Sequence, residues 1–346
     1  MQLQVSILDQ VPIRKGSTAT EALQESIELV KLAEQWGYRR YWVSEHHNTL
    51  ALAEAAPEIL IARLAGETSH IRLGSGGIML PNHSALKVAE NFRLLEALYP
   101  GRIDLGIGRA PGGDRMSSRL LNPSNDFDPK SYIEQVADLQ CFLTDTAGEG
   151  NAGGKVRAIP RIDTIPAIWM LTSSGESAYL AAHMGIGLSV AQFINPVGGA
   201  AAVAAYRQNF RQSAFLREAL ANAAVFVFCS DNEESVARAQ AVMDFRFINF
   251  EKGKFDEMPD YESARSYNYS EMEWQRVLFN RERTIIGDPH TVKNKIAALA
   301  NELGVTEIMA ATFSETKEER FKSYEWLASM FTAHGAPKQT LAVVSR

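Results

Sequence analysis

Eight short β-branched runs, separated by longer stretches that mostly carry helical periodicity, constrain this chain of 346 residues more than any other feature. The runs fall at 3–8, 41–44, 71–76, 103–108, 167–171, 186–190, 223–229 and 307–311, and each is read as a strand. Helices are predicted at about 20–36, 57–68, 84–98, 129–144, 174–184, 196–214 and 316–331. Strands divided by helices run parallel, because parallel neighbours need a crossover connection. Eight such units predict an α/β chain folded as a single (β/α)8 TIM barrel with insertions, one domain over residues 1–346. An open, doubly wound sheet is the competing topology. Two segments interrupt the repeat. Residues 148–164 contain GEGNAGG and read as a surface insertion. Residues 250–274 carry Phe250, Phe255, Tyr261, Tyr267, Tyr269 and Trp274, and are read either as a mobile cover for the mouth of the barrel or as a decorative excursion.

Composition narrows the possible partners. A net charge of −6 argues against a nucleic-acid binder, which would need a basic field. Cys141 and Cys229 show no CxxC spacing and no disulfide framework, so they read as small buried residues in a reducing cytoplasm. The first ten residues, MQLQVSILDQ, lack the basic region of a signal peptide. No apolar run approaches the ~18 residues that span a bilayer. The expectation is a cytoplasmic protein with no membrane partner.

Chemistry in a barrel sits at the C-terminal ends of the strands. Four of those ends are unusual here. The second strand ends in Ser44, Glu45, His46, His47 and Asn48. Neighbouring residues point to opposite faces, so His46 and His47 do not share one cavity and a two-histidine metal site is disfavoured. No HExxH or similar ligand spacing occurs, and no metal is expected. One of the two histidines is either a proton shuttle or a hydrogen-bonded structural residue. The third strand ends in Gly74-Ser75-Gly76-Gly77, which marks either a tight turn or bare backbone on which a flat ring packs. The fourth ends in Gly108-Arg109-Ala110-Pro111-Gly112-Gly113-Asp114; it matches no standard phosphate loop, and Arg109 is read as a phosphate ligand or as half of a surface ion pair. The fifth runs into Thr172-Ser173-Ser174-Gly175-Glu176-Ser177, where Ser173 or Ser174 is expected to cap the next helix and the free amides suit an anion. Together these ends suggest a phosphorylated planar cofactor held across strands two to five.

The stretches LDQVPIRKG, YWVSEHHNT, IRLGSGGIMLPNHSALKVAENFRLLEALYPGRIDLGIGRAPGGD and TIIGDPHTV resemble the bacterial luciferase-like monooxygenases, and most closely an uncharacterised bacterial branch of that family. The resemblance implies an FMN-dependent oxidoreductase that uses reduced FMN and O2 to oxidise a small organic substrate. It implies a separate flavin reductase as partner and a homodimer. It places the catalytic histidine at His46, a non-proline cis peptide at Gly76–Gly77, the phosphate-binding arginine at Arg109 and the phosphate-contacting loop at Ser173, Ser174 and Ser177. The chain departs from the light-emitting catalytic subunits at Gly108, where they carry cysteine, and at Ser173, where they carry glutamate. Those departures speak against light emission and against the luciferase aldehyde. Relatives that use the deazaflavin F420 share the fold, so an F420-dependent oxidoreductase and a non-catalytic flavin-binding protein stand as alternatives.

Overall fold

The strand-forming runs pair edge to edge until the sheet meets itself. The computed structural model describes residues 3–125, 128–146, 156–254 and 256–332. Its strands are β1 (Gln4–Asp9), β2 (Arg40–Val43), β3 (Arg72–Met79), β4 (Ile103–Gly108), β5 (Ala167–Thr172), β6 (Gly187–Ala191), β7 (Ala221–Cys229), β8 (Thr284–Gly287) and β9 (Glu307–Ala311). Its helices are α1 (Ala19–Gln35), α2 (Pro57–Gly66), α3 (Ala85–Leu98), α4 (Arg115–Leu121), α5 (Pro129–Thr144), α6 (Glu176–Met184), α7 (Gly199–Asn209), α8 (Glu233–Glu251), α9 (Tyr261–Ser266), α10 (Glu271–Arg281), α11 (Pro289–Leu303) and α12 (Lys317–Phe331). Every strand pairing is parallel. The ring runs β1-β2-β3-β4-β5-β6-β7-β9 and closes where Val5 lies opposite Ile308. Closure excludes the open doubly wound sheet. The ninth strand, β8, pairs with β7 outside the ring, with Val227 opposite Ile285.

Local chemistry sets where the helices begin. Thr18 and Glu21 form a reciprocal capping box on α1, and Asp128 and Asp288 cap α5 and α11, each followed by proline in the first turn. Gly185 and Gly304 close α6 and α11 in the left-handed conformation. The 250–274 region is more regular than its composition suggested. It contains the end of α8, all of α9 and the start of α10. Its front is tethered over the strand ends, with Lys15 Nζ 2.7 Å from Asp260 and the Tyr261 amide donating to Glu315 at 2.7 Å. Phe255 and residues 147–155, the core of the expected surface insertion, lie outside the described residues.

Alternate residues of each strand face opposite ways. Val5, Ile7, Tyr41, Val43, Leu73, Leu105, Ile107, Met170 and Ile308 pack outward against the helices. The other set fills the barrel with Leu8, Trp42, Trp169, Ala224, Phe226 and Met309. At the N-terminal end this interior is ionic. Arg40 donates through Nη1 to Asp104 at 2.6 Å and through Nε to Glu307 at 2.6 Å. Ser6 donates to Glu307 at 2.5 Å, Trp42 Nε1 to Asp104 at 3.0 Å, and Arg72 to the other oxygen of Asp104 at 2.5 Å. The Arg40 guanidinium also lies 4.7 Å from the Trp169 ring centroid. Burial alone would raise the Asp104 pKa, but the Arg72 and Arg40 guanidiniums outweigh it and hold the carboxyl below its ordinary value.

Arg40→Met leaves two buried carboxylates without their shared cation. Removing one partner of a buried pair typically lowers stability by about 3–5 kcal/mol, and R40M is expected to lose that much in urea unfolding near neutral pH. A loss below about 1 kcal/mol would mean the ionic plug is dispensable. Because the folded Asp104 pKa is depressed, its stabilisation is present above the ordinary aspartate range and disappears as pH falls through the folded value. The gap between wild type and R40M should therefore narrow in acid.

Candidate active site

The loops after β2, β3 and β4 are knit together by one buried carboxylate. Glu45 accepts the Met79 amide at 2.8 Å, and its other oxygen lies 2.8 Å from His47 Nε2 and 2.9 Å from His83 Nε2. Burial would push its pKa up. The hydrogen bonds from His47, His83 and Met79 outweigh that and hold it at about 2. The same contacts raise the pKa of His83, against the effect of its own burial. The amide of Glu45 donates to the Gly77 carbonyl at 3.3 Å, and the amide of His47 to the Gly112 carbonyl at 2.9 Å. Asn82 Nδ2 reaches the Pro111 carbonyl at 2.8 Å, and Asn48 Nδ2 reaches Asp114 at 2.7 Å.

The two adjacent histidines part company. His47 is committed to Glu45. His46 keeps its amide on the Glu54 carbonyl at 3.1 Å and places Nδ1 3.3 Å from Ser44 Oγ. Burial pushes the His46 pKa down to about 4, and the nearby Arg246 guanidinium adds to that shift. The imidazole is therefore neutral at physiological pH and stays neutral into mild acid, where a histidine with the ordinary value would be charged. The Gly76–Gly77 peptide is cis. A Cβ on Gly77 would sit 2.8 Å from the Gly106 carbonyl oxygen, so the approach of β4 backbone requires glycine there; one on Gly76 would sit 2.7 Å from Leu8 Cδ1, the end of a side chain.

The second half of the site lies at the ends of β4 and β5. Arg109 has a half-exposed guanidinium 3.4 Å from Glu176, which is itself largely exposed. An exposed pair with that spacing contributes little, so Arg109 is available to a ligand. The contact brings the loop after β4 against the first residue of α6. Neither Ser173 nor Ser174 caps that helix. The N-cap is Gly175, with helical backbone angles and no side-chain cap hydrogen bond. The Thr172 hydroxyl takes the Ser174 amide at 3.1 Å and donates to the Ser174 carbonyl, which turns the chain one residue later than the serines predict. The first amides of α6 are thus left without a side-chain acceptor, beside a cation and next to the buried Ser177. Arg109 and the 173–177 loop form one cluster. The Glu45 amide joins the stretch that carries His46 to Gly77, and the 109–114 loop is joined to the same stretch through Gly112 and His47.

Two groups were not singled out from sequence. Arg246, on α8, packs its guanidinium 3.6 Å from the Phe313 ring centroid, and burial pushes its pKa down to about 10. Glu54, before α2, has its pKa raised by burial to about 7. Nothing in the local pattern of either segment marks these residues, because their settings are made by distant elements. Among the described residues there is no cluster of three metal-ligating side chains, and no helix is long and apolar enough to cross a membrane.

A family model described as luciferase-like monooxygenase matches residues 1–307. The chain is 44% identical to the uncharacterized protein YwcH of Bacillus subtilis over 328 residues, covering 94% of this chain and 98% of that one. It is 33% identical to the N-acetyl-S-alkylcysteine monooxygenase of the same organism over 334 residues, covering 96% and 99%. Among solved structures it superposes on apo-MsnO8 with a TM-score of 0.86 at 33% identity, covering 95% and 98% of the two chains. The oxygenating constituent of 3,6-diketocamphane monooxygenase from Pseudomonas putida, solved in complex with FMN, shares the fold at a TM-score of 0.68 and 17% identity, covering 96% and 98%.

A histidine whose folded pKa is lowered binds fewer protons than the unfolded chain between the two values. Its contribution to stability therefore falls as pH drops from the ordinary value of about 6.5 toward the folded value. The His46 ring should titrate near 4 by NMR. Between about pH 7.5 and about pH 4.5, wild type should lose more stability in urea than His46→Gln does. A ring that titrates in the ordinary histidine range, with equal losses in both proteins, would refute the buried neutral state.

Proposed function

The chain belongs to the luciferase-like monooxygenase family, and from that premise we propose that it uses reduced FMN and O2 to oxidise a small organic substrate, with a separate reductase supplying the flavin. The observation that carries the FMN reading is the uncapped α6 N-terminus beside the weakly paired Arg109. Helix amides and a planar guanidinium are a donor set for a phosphate. Arg109, Ser173, Ser174 and Ser177 would hold the FMN phosphate. The backbone at Gly76–Gly77 would support the ring system near His46. Bound reduced FMN supplies the electrons that activate O2.

The chain's own groups do the remaining work. With Nδ1 directed at Ser44, Nε2 is the atom of His46 available to hold or pass a proton. A neutral imidazole can accept a hydrogen bond there or donate one, according to its tautomer. Glu45 acts through others, because it fixes His47, His83 and the chain after Gly77. The aromatic lining of Phe226, Phe228 and Phe313 keeps water from the floor of the mouth. A homodimer in the cytoplasm completes the proposal.

Stopped-flow mixing of the protein with photoreduced FMN, or with reduced F420, and then with O2 tests the reading as a whole. A protein-dependent change in the oxidation time course is expected with FMN. A response to F420 alone would reassign the cofactor, and a tightly bound flavin whose oxidation is unaltered would indicate a carrier. Arg109→Ala is expected to weaken FMN binding by roughly 1.5–3 kcal/mol, the range for a charged hydrogen-bond partner, while riboflavin affinity changes little. Equal losses for both ligands would make Arg109 a structural residue. His46→Ala should leave FMN affinity intact and lower product formation by about 10²–10⁴-fold, whereas His47→Ala should act mainly on stability. The reverse pattern would assign the proton transfer to the wrong histidine.

A further inference from the structure

Arg246 is a cation set among aromatic rings, and no described carboxylate forms an ion pair with it. It projects from α8, which follows β7, and stacks its guanidinium carbon 3.6 Å from the Phe313 ring centroid and 5.8 Å from that of Phe226. Phe226 and Phe313 belong to the apolar lining of the barrel, the same cluster as Trp42, Phe228 and Met243. The Nη1 atom is buried and has no hydrogen-bond partner, and among the described residues no carboxylate pairs with the side chain. Two fully buried arginines show what a desolvated guanidinium normally demands. Arg40 has Asp104 and Glu307, and Arg320 has Asp9 at 2.6 Å and Glu25 at 3.0 Å. A buried charge without a partner is unfavourable and is retained where a ligand completes it. Phe226 lies on β7 and Phe313 follows β9, so the cation resting on them sits toward the C-terminal mouth, the end at which His46 follows β2. It lies on the β7–β9 arc of that mouth, away from the phosphate donors on the β4–β5 arc.

We propose that Arg246 binds the carboxylate of the organic substrate, whose apolar body rests on Phe226 and Phe313. The substrate class is then a small monocarboxylic acid with an apolar portion presented toward His46. One unpaired guanidinium matches one negative charge, and its planar fork matches a carboxylate. The aromatic bed accepts the adjoining carbons and also supports the cation. This assignment of the substrate rests on the monooxygenase reading of the site. The competing source of negative charge is the reduced flavin ring itself, and the two are separable by binding.

Calorimetric titration of the whole protein, with and without FMN, should use hexanoate, phenylacetate and N-acetylmethionine, each against its primary amide. The acids are expected to bind at least about tenfold more tightly than their amides, as a charge-assisted pair requires. Arg246→Gln should abolish that preference while leaving FMN affinity within about twofold of wild type. Arg246→Lys, which keeps the charge and loses the fork, should retain a reduced preference and covers the case in which the glutamine variant does not fold. Equal binding of acids and amides by wild type would overturn the proposal, as would failure of all three acids to bind. So would a loss of FMN affinity in R246Q as large as the loss for the acids, because the guanidinium would then face the flavin. An acid preference that depends on Arg246 in a protein with no affinity for FMN would uphold the carboxylate site and remove the flavin reading instead.

Discussion

The barrel is organised around a cation at its closed end. Arg40 starts β2, Asp104 sits near the start of β4 and Glu307 begins β9, so a single guanidinium ties three arcs of the ring together. Glu307 lies on the strand that closes the barrel against β1, and Ser6 of β1 donates to it. The closing seam is therefore held by side chains as well as by backbone pairing. A buried ionic set of this kind contributes less to net stability than to uniqueness, because a shifted register would leave a charge unpaired in the interior. Above it the edge-to-face pair Trp42 and Trp169, 5.5 Å between centroids, seals the ionic layer from the mouth. The candidate site residues at the ends of β2 to β5 lie on the far side of this seal.

A second ionic set does the same work outside the ring. Asp9 at the end of β1 receives Arg320 from α12, Ser26 from α1 and Tyr41 from β2, and Arg320 also holds Glu25. Burial opposes the charge on Asp9, yet Arg320 and the hydroxyl donors hold its pKa below the ordinary value. The last helix is thereby locked to the first strand and helix. Tyr38 extends the joint by donating to the Tyr324 carbonyl at 2.7 Å. With bottom and seam fixed, the loops after β2 to β4 can lack regular structure and still be ordered, because Glu45 and the 109–114 loop clamp them.

Much of this architecture was legible in the sequence because it depends on local pattern. The strand runs from Ile103 and from Ala167 are short, apolar and largely buried, and the first is followed by helices that Asp114 and Asp128 cap. Thr284–Gly287 escaped because four residues are too few to show a period, and their pairing with β7 is decided at a distance. The α6 cap was misplaced because Thr172 competes for the backbone that the serines were expected to serve. The site residues at strand ends could be nominated from position, but their electrostatics could not. The shift on His46 is made by burial and by α8, and the isolation of Arg246 is made by Phe313 from beyond β9. A helix reading EESVARAQAVMDFRFINFE offers no sign that one of its arginines faces inward.

The chain is acidic overall, with a net charge of −6, yet cationic groups flank the C-terminal mouth of the barrel. Glu45 is engaged by hydrogen bonds to His47, His83 and the Met79 amide, and burial raises the pKa of Glu54 to about 7, so Glu54 is only partly ionised near neutral pH. Arg109 and the α6 amides stand on one side and Arg246 on the other. Preorganised positive groups in a low-dielectric cleft act locally, so they outweigh a diffuse surface charge that salt screens. Between them His46 is held neutral, first by burial and then by repulsion from Arg246. In the proposed complex, a carboxylate on Arg246 would cancel that second contribution and raise the proton affinity of His46, which would tie the proposed proton transfer to a filled site.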